Sequence, residues 1–222
     1  MKISNKKLKH YKNILQNGLN NFEKAVCHKK RDERYNSIIR DWKGLIDSEA
    51  RISNFAQNVK DVNSLFGFSR EFSCKLSYEE LIARVSERFA ELDLAKHIIR
   101  ELELKDKKEK LEKLIEGAES ICDFRLLLKG TAFYAEAKYI RNITANNLSG
   151  STKKALAQIE GMMPRSNRVG CVWIFTYQQI DNPSNFQRQV MNIKQQYSNM
   201  KFPFKLNVQT YFTGLYGDTV IR

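Results

Sequence analysis

Proline is scarce in this chain, at 3 of 222 residues, and no apolar stretch free of charge reaches the roughly 18 residues that a membrane span needs. With 42% hydrophobic residues the sequence is neither disordered nor collagen-like, and its length suits one ordinary domain or two small ones with a self-sufficient core. The 4 cysteines, at 27, 74, 122 and 171, stand about fifty residues apart, a spacing of neither a zinc ligand pair nor a disulfide framework. They are expected to be reduced, mostly buried thiols. His10, His28 and His97 lack partners at metal or triad spacing and read as packing or surface residues. The 10 glycines form no phosphate loop, which leaves nucleotide hydrolysis unsupported, and no serine sits in a G-x-S-x-G elbow. After Met1-Lys2-Ile3-Ser4-Asn5-Lys6-Lys7 comes no apolar run of the kind a secretory signal carries, so the sequence predicts a soluble, cytoplasmic protein without a membrane partner.

What the chain has in excess is positive charge. A net charge of +13 points to a polyanionic partner held through phosphate contacts and counterion release. The distribution is uneven. Residues 1–75 carry 16 basic and 8 acidic groups, residues 76–150 carry 13 and 14, and residues 151–222 carry 9 and 3. Basic flanks around a centre that gathers the carboxylates suit an enzyme that grips phosphates outside and holds a cation inside. Lys29, Lys30 and Arg31, and Lys153 and Lys154, are the clusters expected to meet nucleic-acid phosphates.

Periodicity of three and four through Leu8, Tyr11, Leu15, Leu19, Phe22 and Val26, then Ile38, Trp42 and Leu45, predicts a basic helical arm to about residue 57. Residues 58–76 read as a connection. Ser77-Tyr78-Glu79-Glu80 is a capping box that opens a helix through Leu81, Val85, Phe89 and Leu92. Residues 104–114 are ambiguous, with a weak first strand near Leu111 to Ile115 as one alternative. Two apolar runs, Ile121 to Leu128 and Thr131 to Ile140, flank Lys129-Gly130 and predict a β-hairpin. An Asn- and Ser-rich loop over 142–150 is followed by a helix capped at Ser151 or Thr152 and running to Met163. Val169 to Tyr177 suits a strand buried on both faces, Pro183 opens a further helix, and Phe204 to Phe212 alternates as a last strand. The aromatic Trp173 is expected in the core.

A two-residue turn at Lys129-Gly130 sets Asp123 directly opposite Glu136, with Lys138 on the same face because strand side chains alternate. Like charges in cross-strand positions repel unless something neutralises them. A divalent cation would do so: two carboxylates are hard oxygen ligands suited to Mg²⁺, with Mn²⁺ as a substitute, and a neighbouring lysine can orient the attacking water.

Asp123 followed by Glu136-Ala137-Lys138 across a hairpin resembles the Asp and Glu-X-Lys core of the PD-(D/E)XK nuclease superfamily, with the succession of elements matched over about residues 77–177. The family's usual proline before the aspartate is replaced by Cys122. The resemblance implies an accessory metal-binding glutamate on the preceding helix, for which Glu91 is the first candidate and Glu87 the second. It also implies a glutamine on the following helix, where Gln158 fits.

The expectation is therefore an α/β chain of mixed α+β character. Residues 77–222 would form a restriction-endonuclease-like core, a central mixed sheet flanked by helices, and residues 1–76 a basic helical region for substrate grip or homodimerisation. The expected activity is Mg²⁺-dependent hydrolysis of phosphodiester bonds, most simply in DNA, with Asp123, Glu136, Lys138 and Gln158 catalytic and Asp123, Glu136 and Glu91 on the metal. The alternative is a nucleic-acid-binding or partner-recruiting protein that keeps the fold without the chemistry.

Overall fold

The computed structural model describes residues 3–67, 72–104, 108–114, 122–162 and 168–218. Of the residues named above, Met1, Lys2, Ile115, Ile121 and Met163 lie outside them, as do parts of the 58–76 and 104–114 segments. The chain divides into two compact units, Met1–Phe89 and Ala90–Arg222, meeting inside one helix rather than in the 58–76 connection.

The first unit contains α1 (Asn5–Val26), α2 (Glu33–Asp47), α3 (Glu49–Asn58), α4 (Val62–Phe66) and the opening turns of α5 (Tyr78–Leu104). Each of the first four helices starts where a side-chain oxygen can take an orphan backbone N–H: Ser4, Asp32, Ser48 and Asp61. Ser77 and Glu80 close the expected capping box, each side chain accepting from the other residue's backbone N–H. The helical arm is thus a packed unit with its own core. Phe22 stacks on Tyr35 and on Trp42, both at 6.0 Å between centroids, and Trp42 Nε1 donates to the Leu15 carbonyl at 3.0 Å. Within the expected connection, Asp61 caps α4, whose Val62, Leu65 and Phe66 are buried, so part of that segment is helix.

The second unit holds the rest of α5, β1 (Glu112–Lys113), β2 (Phe124–Leu128), β3 (Thr131–Tyr139), α6 (Ala145–Met162), β4 (Arg168–Thr176), α7 (Pro183–Gln196), β5 (Phe204–Thr210) and β6 (Gly214–Gly217). Six strands pair in sequence order; β3, β4 and β5 run parallel, and the remaining neighbours pair antiparallel. It is a mixed α/β sheet flanked by helices. The hairpin takes the register read from the sequence, Leu128↔Thr131 through Phe124↔Ala135, because its turn spans only Lys129 and Gly130. Both turn residues have positive φ, +46° and +79°, the primed geometry that matches strand twist.

The crossover helices α6 and α7 share a core with Tyr134, Val172, Ile174, Leu206 and Val208 on one face of the sheet. On the other face the Trp173 ring lies 4.6 Å from that of His97 on α5. The expected 142–150 loop is corrected: α6 begins at Ala145, where Thr144 Oγ1 accepts the Asn147 N–H at 3.1 Å. Leu148 is buried and Thr152 sits inside the helix, its hydroxyl back-bonding to the Leu148 carbonyl at 2.7 Å, so burial outweighs the weak helix propensity of Asn and Ser. The edge strand β6 was not anticipated. The thiols are all free, but only Cys122 and Cys171 are buried; Cys27 and Cys74 are exposed. Among the described residues no helix is long and apolar enough to cross a membrane.

A candidate metal-dependent site at the hairpin mouth

The site lies within the second unit, where the β2–β3 ladder ends. Phe124↔Ala135 is the last pair, and Asp123 and Glu136 are the next residues along each strand. There each acidic side chain accepts from a backbone amide of the opposite strand segment. The Asp123 N–H donates to Glu136 Oε2 at 3.0 Å, and the Ala137 N–H donates to Asp123 Oδ2 at 2.8 Å. Backbone amides aimed at carboxylates fix both side chains in place without adding net charge. Glu136 and Lys138 alternate along β3 on the face that also carries Val172 and Ile174, and Lys138 Nζ donates to Glu136 Oε1.

Glu91, from α5, is buried in the same group, whereas Glu87 is exposed. A fifth residue, absent from the sequence reading of the site, joins them. Lys113 on β1 places Nζ 2.8 Å from Glu91 Oε2 and 3.3 Å from Asp123 Oδ1, and 5.1 Å from the centre of the Phe124 ring. Its side chain is 4% exposed. No local signal marks it, because β1 spans only two residues and its partners Glu91 and Asp123 come from other segments.

Burial pushes the Glu136 carboxyl up to about 8, helped by the negative charges of Asp123 and Glu91 and opposed by Lys138. Burial, Glu136 and Asp123 also push the neighbouring Cys122 thiol up to about 12. Burial is thus the main reason that Glu136 resists ionisation, and the Lys138 ammonium offsets part of it. The donor chemistry of Asp123 and Glu136, hard oxygens held rigidly on adjacent strands, fits Mg²⁺ or Mn²⁺. Among the described residues, however, no three His, Cys, Asp or Glu side chains converge as a ready-made metal cluster. Glu91 as an accessory ligand competes with Lys113 for the same carboxylate.

Gln158 is half-buried on α6, and among the described residues no hydrogen bond ties it to this group. Lys153 and Lys154 are exposed on the same helix. In the first unit, Lys29 donates to the Cys74 carbonyl at 3.4 Å and Arg31 lies over the Tyr35 ring at 4.5 Å. Lys30 and Arg31 line a depression of about 520 Å³ that also contains Asp32 and Glu79, so its charge is mixed. Arg34 is engaged there by both acids, at 2.6 and 2.7 Å.

No family model matches this chain, and neither do the curated proteins or solved structures with which it was compared.

Proposed function

We propose that the chain is a metal-dependent nuclease that hydrolyses phosphodiester bonds, DNA being the substrate its basic flanks suit, on a restriction-endonuclease-like core. The observation that supports this reading is the buried Asp123–Glu136 pair, Glu136 accepting from the Asp123 N–H and Asp123 from the Ala137 N–H, with Lys138 paired to Glu136. Asp123 and Glu136 hold the ion. When bound, it lowers the pKa of a coordinated water and stabilises negative charge on the phosphoryl group. Lys138, anchored by Glu136 and 24% exposed, orients the attacking water. Lys153 and Lys154 offer exposed phosphate contacts on α6, the helix that follows Glu136-Ala137-Lys138 in the chain. Gln158 joins the chemistry only if its side chain turns towards the group.

One observation favours a second reading, a nucleic-acid-binding protein that does not cut: Lys113 already neutralises part of the carboxylate charge. The two are separated by incubating plasmid, linear duplex, single-stranded DNA and RNA with the protein in Mg²⁺, Mn²⁺ or EDTA, beside Lys138→Ala. Metal-dependent cutting that the variant loses supports the nuclease. Salt-sensitive binding without cutting under any of these conditions supports the second reading.

A further inference from the structure

We infer that the Lys113 ammonium fills one of the cation positions that the three carboxylates create, so that this site takes a single divalent ion, between Asp123 and Glu136, with Lys113 as the positioning residue that sets that number. The inference rests on the metal-dependent reading above and goes beyond it.

Two observations carry it. First, Lys113 Nζ sits between carboxylates from two different elements, 2.8 Å from Glu91 Oε2 and 3.3 Å from Asp123 Oδ1, as a bridging cation would. Second, it is pinned: β1 pairs Lys113 with Phe124, its side chain is 4% exposed, and the Phe124 ring flanks its ammonium. Displacing it would strand a buried charge without its partners, a loss that a weakly held ion does not offset.

The test is a calorimetric titration of the full-length, metal-free protein with Mn²⁺, with no substrate present. The wild type should bind one ion per chain. Asp123→Asn should weaken that ion by about tenfold or more, whereas Glu91→Gln should leave its affinity within about threefold, since loss of a true ligand or of a supporting partner costs about 10–100-fold. Lys113→Met should admit a second ion, and Lys113→Met combined with Glu91→Gln should return the number to one. Two ions in the wild type, a tenfold loss in Glu91→Gln, or an unchanged single site in a folded Lys113→Met would overturn the inference while leaving the metal-dependent reading intact. If Lys113→Met does not fold, the wild-type stoichiometry and the Glu91→Gln arm decide it. A wild type that binds no ion at all overturns both.

Discussion

Replacing Glu136 by glutamine in the metal-free protein should raise its stability, and by more as the pH rises. In the folded chain the Glu136 carboxyl sits at about 8, against an ordinary value of 4.5, with burial as the largest cause. An acid whose pKa is raised by folding costs nothing below its unfolded pKa, where both states hold the proton. Between pH 4.5 and 8 the unfolded chain releases that proton while the folded chain keeps it, and the fold loses stability progressively; above 8 the loss is complete. The full shift corresponds to at most about 5 kcal/mol, and relaxation around Lys138 and Asp123 reduces what is realised to about 2–3 kcal/mol. Glutamine cannot ionise, keeps an oxygen for the Asp123 N–H, and removes this loss. For a chain of this length each kcal/mol moves the midpoint by about 2–4 °C. Differential scanning calorimetry in EDTA at pH 5, 6.5 and 8.5 should therefore show Glu136→Gln gaining about 4–12 °C on the wild type between the lowest and highest pH. A difference that stays flat with pH, or one that reverses, would refute the reasoning.

Other consequences are local. Lys129 holds a left-handed conformation at φ +46° that asparagine tolerates better, so Lys129→Asn should raise the thermal midpoint by the equivalent of about 0.5–1 kcal/mol; an unchanged or lower midpoint would speak against it. A Cβ on Gly217, at φ +110°, would stand 2.0 Å from the Leu206 carbonyl oxygen, so Gly217→Ala should lose at least about 2 kcal/mol in chemical denaturation. The exposed Cys27 and Cys74 should react with a thiol reagent in the native protein, while Cys122 and Cys171, buried and pushed up to about 12, should react only on unfolding.

Local signals carried much of this structure. The X-Gly turn between two apolar runs gave the hairpin its register, and with it the meeting of Asp123 and Glu136, because strand periodicity leaves no freedom once the turn length is set. The buried run from Val169 appeared as β4 for the same reason. Glu91 could be preferred to Glu87 from its place beside the apolar stripe of α5, although its burial could not be read there. What escaped was set by distant partners. β1 is two residues long, too short for any periodic signal, and Lys113 makes sense only when Glu91 and Asp123 stand around it. Asn146, Asn147 and Ser149 disguised the first turns of α6, and the pairing that makes β6 a strand lies with β5 rather than in its own four residues.

The central claim is that Asp123 serves phosphodiester hydrolysis, and single-turnover cleavage of supercoiled plasmid in Mg²⁺ by the wild type and Asp123→Asn tests it most directly. Asparagine can still accept the Ala137 N–H, so the variant should fold and bind DNA with the wild type's salt dependence. The wild type should give nicked or linear product in Mg²⁺ and none in EDTA, and Asp123→Asn should give none. Equal cutting by both proteins, or a folded, DNA-binding wild type that leaves the plasmid intact in Mg²⁺ and Mn²⁺, would contradict it.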